Sequence, residues 1–138
     1  MRNLLLLIFS LLVTAATAQV SDSFADGDFT SNPQWQGSAS DFIVNPQSKL
    51  QLNAAIAGSS YLAVPIALNY SDTLEWRINV RLDFAPSSSN YCRIYLLADT
   101  CDPQVPLSGY FLQLGESLSN DAIELFRQAG TVITSVCR

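Results

Sequence analysis

From Leu74 to Phe84, apolar and polar side chains change places at every step. Leu74, Trp76, Ile78, Val80, Leu82 and Phe84 fall on one side, and Thr73, Glu75, Arg77, Asn79, Arg81 and Asp83 on the other. Successive Cβ atoms of a strand point to opposite faces, so this run writes a core side and a wet side. A helix would scatter the same apolar residues around its circumference. The pattern predicts a strand from Thr73 to Phe84 with Trp76 in the core, and it commits the chain to a fold built on sheets.

Shorter runs rich in β-branched and aromatic residues predict further strands at Lys49–Asn53, Ser60–Pro65, Tyr91–Ala98, Gly109–Glu116, Ala122–Gln128 and Thr131–Cys137. Breakers separate them: Asn45-Pro46, Gly58-Ser59-Ser60, Pro86-Ser87-Ser88-Ser89-Asn90, Asp102-Pro103 and Ala129-Gly130. Gln128-Ala129-Gly130-Thr131 reads as a hairpin turn in which the glycine accepts a positive φ. Many strands spaced by such turns predict an all-β, antiparallel sandwich or barrel. Helix is expected only as a single turn, around Ala54–Ala57 or Ser117–Asn120.

The chain opens with Met1-Arg2-Asn3, an apolar run from Leu4 to Ala16 broken by Ser10 and Thr14, and then Ala16-Thr17-Ala18 before Gln19. One positive charge, a short greasy stretch and a small-x-small site are the three parts of a secretory signal. As a helix the greasy stretch rises only about 20 Å, too little for a hydrocarbon core of about 30 Å. Residues 1–18 are therefore expected to be a cleaved leader and residues 19–138 one exported domain, with no membrane span after cleavage. The formal net charge is −5, with seven basic against twelve acidic side chains and no Lys/Arg cluster. That balance argues against nucleic-acid binding. There is no histidine, which removes the commonest general base and metal ligand and every Ser-His or Cys-His nucleophile. An oxidising compartment permits disulfides. A Cys92–Cys101 bond closing a small loop and three reduced, core-packed thiols both fit, with Cys137 left over in the first case. No C-x-x-C pair suggests a metal.

Asp22-Ser23-Phe24-Ala25-Asp26-Gly27-Asp28-Phe29, the Glu75–Phe84 run, Gly109-Tyr110-Phe111-Leu112-Gln113-Leu114-Gly115 and Asp121-Ala122-Ile123-Glu124-Leu125-Phe126-Arg127 together resemble the laminin-G-like, concanavalin A-like jelly rolls at the front of large secreted bacterial surface proteins. The resemblance covers most of residues 19–138 and implies a β-sandwich jelly roll. It also implies a role in binding glycan or positioning neighbouring domains, although some members are glycoside hydrolases. Such folds usually run longer, and the last strand reaches almost to Arg138 without a polar tail. The domain is thus expected to be incomplete at its C-terminus, with downstream domains of the same polypeptide as partners.

Glycoside hydrolysis needs two carboxyl groups about 5–10 Å apart. Only Glu75, Glu116 and Glu124 are available as glutamates, none in the one-strand run that concanavalin-like glycanases use. Glu75 and Asp83 share a strand face but lie about 26 Å apart at about 3.3 Å per residue, and they alternate with Arg77 and Arg81 as a solvated ladder. The expected function is therefore non-catalytic, with an enzyme whose active site lies elsewhere or downstream, or a structural spacer, as alternatives. Asp22, Asp26 and Asp28 around Gly27 are candidate ligands for a structural calcium, or else acids of a plain turn. For polysaccharide or glycan, which needs aromatic faces beside polar groups, Tyr91, Arg93 and Tyr95 share one side of their strand. Tyr110 heads another strand, with Gln113 projecting to the opposite face from it. Tyr95 is equally readable as core. Trp35, near Pro33, is a further candidate or a ring that pins its loop. Asn69-Tyr70-Ser71 fits an N-glycosylation acceptor.

Overall fold

The computed structural model describes residues 20–68, 73–116 and 122–138. The expected leader, the Asn69-Tyr70-Ser71 triplet and the helical turn expected at Ser117–Asn120 lie outside the described residues. Within them the chain is all-β and antiparallel throughout, with a lone 3-10 turn at Ala39–Asp41, an arrangement consistent with a β-sandwich. No helix among the described residues is long and apolar enough to cross a membrane.

The N-terminal part makes two small ladders. β1 (Gln36–Gly37) pairs with β4 (Leu62–Ala63), and β2 (Phe42–Val44) pairs with β3 (Leu50–Leu52). Asn45 builds the β2–β3 turn. Its side-chain carbonyl accepts from the Gln47 and Lys49 amides at 3.0 and 3.1 Å, and its own amide donates to the Lys49 carbonyl at 2.9 Å. An Asx turn of this kind replaces ladder bonds with side-chain bonds, as Asn does in loops. The expected helical turn at Ala54–Ala57 is instead irregular chain, and the 3-10 turn stands ahead of β2.

The larger sheet is a four-stranded meander in chain order: β5 (Cys92–Ala98), β6 (Leu107–Leu114), β7 (Ile123–Gly130) and β8 (Val132–Cys137). These are the four strands expected from the C-terminal half, within two residues at each end. Ala129 pairs with Val132, which leaves Gly130-Thr131 as a two-residue loop. Gly130 alone carries the positive φ, +64°, as a type II′ hairpin requires. On β5 a bulge between Tyr95 and Leu97 lets Leu96 stand opposite no single β6 residue.

Residues paired across an antiparallel ladder share a face. One face of the meander carries Arg93, Tyr95, Phe111, Gln113, Phe126 and Gln128. The other carries Ile94, Leu112, Leu114, Ile123 and Leu125. The sealed centre is small: Phe111 is wholly buried and Leu107 nearly so.

The segment 73–84 departs from the expected strand. It makes no ladder with any described strand, and none of its backbone groups is hydrogen-bonded to another described backbone group. Its alternation is nevertheless used. Trp76, Ile78 and Val80 line an open groove of 460 Å³ against Ile94, Leu96, Leu112, Leu114 and Ile123 of the meander. Trp76 therefore lies beside an apolar sheet face and remains 38% exposed, not sealed in a core. On the wet side Arg77 pairs with Glu75 at 2.6 Å and Arg81 with Asp83 at 2.7 Å, both pairs highly exposed. That is the solvated ladder the sequence suggested, and pairs this exposed add little stability.

Candidate functional site

The face of β5–β6–β7 turned away from the groove concentrates aromatic and hydrogen-bonding side chains. Phe111 sits at its centre. Its ring stacks on Phe126 with centroids 5.3 Å apart and meets Tyr95 at 4.9 Å in a tilted arrangement. Offset and tilted contacts of this kind suit the ring quadrupoles. The Arg93 guanidinium lies 4.8 Å from the centroids of both Tyr91 and Phe111, within the range of cation–π attraction.

Two glutamines lock this cluster to the sheet. Arg93 Nε donates to Gln113 Oε1 at 2.9 Å, and Gln113 Nε2 donates to the Gly115 carbonyl at 2.9 Å. Tyr95 Oη donates to Gln128 Oε1 at 2.8 Å, and Gln128 Nε2 donates to the Gly130 carbonyl at 2.9 Å. Gln128 is the one buried polar side chain among the described residues, at 7% exposure. Its bonds offset the cost of desolvating an amide. Burial raises the Tyr95 phenol above its ordinary range, and the charge and hydrogen bonding of Arg93 work against that rise.

The structure thus brings together Tyr91, Arg93 and Tyr95, in two different states. Tyr95 is packed and bonded, whereas Tyr91 is 42% exposed at the strand's start. Gln113 joins them because it stands directly opposite Arg93 in the ladder. Tyr110 lies on the other face, opposite Arg127. Phe111, Phe126 and Gln128 were not singled out from the sequence. Their parity within each strand was readable, but the register that makes Phe111 meet both Tyr95 and Phe126 was not.

Trp35 serves the N-terminal loop. Its indole Nε1 donates to Asp22 Oδ2 at 2.8 Å, its ring meets Phe24 at 5.8 Å, and its amide donates to the Phe29 carbonyl at 2.9 Å. The three acidic candidates for calcium are spent locally. Asp22 accepts from the Phe24 amide as well as the indole, Asp26 from the Asp28 amide, and Asp28 from Thr30 and Ser31. Among the described residues no three His, Cys, Asp or Glu side chains gather to hold a metal ion. Hydrogen bonds from the Ser31 hydroxyl, then from Thr30, hold the Asp28 carboxyl well below its usual range.

The glutamates are separately engaged: Glu116 takes the Arg138 guanidinium at 2.5 Å, and Glu124 accepts from the Ser135 hydroxyl. All three cysteines are free. Cys92 opens β5 and Cys101 lies past its far end, so about 20 Å of strand at about 3.3 Å per residue intervenes, and the bridge weighed from the sequence is not formed. Burial raises the Cys92 thiol pKa, which keeps it protonated.

Comparison of the chain with protein-family models, with curated proteins and with solved structures finds no match in any of the three.

Proposed function

We propose that the chain is an exported, non-catalytic binding module that takes glycan at the Tyr91–Arg93 edge of the β5–β6–β7 face. In this reading its sandwich is of the concanavalin A-like, laminin-G-like kind and works beside neighbouring domains at a bacterial surface. The observation that carries the reading is the half-exposed Tyr91 ring standing beside the fixed Arg93 guanidinium. A sugar ring stacks on an exposed aromatic face, and specificity comes from a few polar groups held in place around it. Here the polar groups are held by ladder partners, so little ordering remains to be done on binding. The leader pattern of residues 1–18 supports export.

The test is a glycan array probed with the chain recovered from the medium of a secreting host. Binding to at least one polysaccharide is expected, and Tyr91→Ala should reduce it at least tenfold while leaving the melting transition in place. An array without a single hit removes the binding reading in favour of a structural spacer. Release of reducing ends from a bound polysaccharide would replace it with an enzyme.

A further inference from the structure

We infer that the glycan taken by this face carries a carboxylate, as a uronic-acid polysaccharide does, and that Arg93 is the group that anchors it. The inference rests on the glycan-binding reading and sharpens it to a chemical class. Hydroxyls of neutral sugars are commonly read by side-chain amides, yet both amides here are largely committed to the sheet. Gln113 gives its oxygen to Arg93 and a donor to Gly115, and Gln128 gives its oxygen to Tyr95 and a donor to Gly130. Gln128 is in addition buried.

Arg93 is committed differently. Its Nε donates to a neutral acceptor, the Gln113 side-chain oxygen, at 2.9 Å, and the Tyr95 phenol is within its hydrogen-bonding reach; neither partner neutralises its charge. The ion pairs among the described residues join Arg77 to Glu75, Arg81 to Asp83 and Arg138 to Glu116, and none involves Arg93. No buried side-chain nitrogen or oxygen lacks a partner, so its terminal nitrogens are not sealed away unsatisfied. Glu124, an acidic residue on the same face, is separated from Arg93 by Gln113, which it faces across the β6–β7 ladder, and it takes the Ser135 hydroxyl. Two aromatic rings fix the guanidinium, each 4.8 Å from its carbon. A planar guanidinium held in place, with its terminal N–H groups free of a carboxylate, matches the two oxygens of an incoming carboxylate. Tyr91, beside it, supplies the ring for the sugar that bears that group.

The experiment is affinity electrophoresis of the chain from a secreting host through gels containing polygalacturonate, methyl-esterified polygalacturonate, dextran or dextran sulfate. About 0.15 M salt is used, where a Debye length of about 8 Å screens the repulsion between the acidic chain and a polyanion. Retardation by polygalacturonate is expected, falling at least tenfold on methyl esterification, with dextran giving none. Arg93→Gln should abolish it, and Arg93→Lys should weaken it at least fivefold by losing the fork. The ester comparison decides the matter without a variant should Arg93→Gln fail to fold. Equal retardation by the free acid and its ester, or by dextran, overturns the carboxylate inference and leaves the glycan reading standing. Retardation by dextran sulfate alone overturns it in favour of a sulfated sugar. No retardation here together with a hit on the array also overturns it, whereas no binding in either assay removes both.

Discussion

Tyr91 and Tyr95 lie four residues apart, one just ahead of β5 and the other within it, and are the same residue type, yet their surroundings give them different work. The Tyr95 hydroxyl is spent on Gln128, so Tyr95→Phe removes a bond and leaves a buried amide oxygen without its donor. The expected loss is about 1–3 kcal/mol, seen as an earlier midpoint in urea, with ligand affinity changed far less. Tyr91→Ala should behave inversely, losing affinity while shifting stability by about 0.5 kcal/mol or less, as exposed positions do. If both variants shift the midpoint equally, the two rings do not differ in role. At Asp28 the sign of the effect runs with acidity. Its folded pKa is depressed by Ser31 and Thr30 below the ordinary 3.8, so its contribution is fully present above pH 4. It fades only as pH falls from there through the depressed value. An NMR titration should show the Asp28 carboxyl still ionised at pH 3. Ser31→Ala should bring its midpoint back toward the ordinary value, and a midpoint near 3.8 in the unaltered chain would refute the turn's geometry.

At the scale of elements, two glycines separate two reasons for having no side chain. Gly130 needs its positive φ, but a Cβ there would meet nothing within 4 Å. Gly130→Ala should therefore cost only the left-handed backbone penalty of about 1–2 kcal/mol. Gly109 has no such φ, yet a Cβ on it would lie 2.3 Å from the Leu97 carbonyl oxygen beside the β5 bulge. Backbone cannot yield as a flexible side chain can, so Gly109→Ala should be the costlier of the two in urea melts and should loosen the β5–β6 pairing. The reverse order would mean that the bulge adapts. The same contrast describes what the sequence made legible. The Gly130 turn could be read from four consecutive residues, and the β7–β8 hairpin followed from it, because the chain supplies both partners of that ladder locally. The Asn45 turn was marked by Asn45-Pro46 in the same way. The bulge at Leu96 was invisible because it belongs to a register between β5 and β6, across the Asp99–Pro106 connection. The aromatic cluster shares that origin: parity placed Tyr91, Arg93 and Tyr95 together, and only pairing could add Phe111, Phe126 and Gln128.

For the whole molecule, the segment from Leu74 to Phe84 shows how far a period-two pattern reaches. Alternation states which side of an extended chain prefers apolar surroundings, and Trp76, Ile78 and Val80 do face the apolar side of the meander. It says nothing about which strand will supply hydrogen bonds, since backbone groups are the same at every residue. Here β5, the next strand along the chain, ladders with β6 and leaves the segment unpaired among the described residues. Contact through side chains alone leaves the groove open and Ile78 at 50% exposure. Amides without a partner exchange with solvent freely, whereas those inside a ladder wait for it to open. Hydrogen exchange should therefore divide the chain sharply. The amides of residues 74–84 should lose their protons at close to the rate of an unstructured peptide, while the central amides of β6 and β7 are slowed by several orders of magnitude. The charged row from Glu75 to Asp83 keeps such an open edge soluble, as charges on edge strands commonly do. Protection across 74–84 equal to that of β6 would contradict the unpaired edge, because slow exchange there requires a strand to have paired with it in solution.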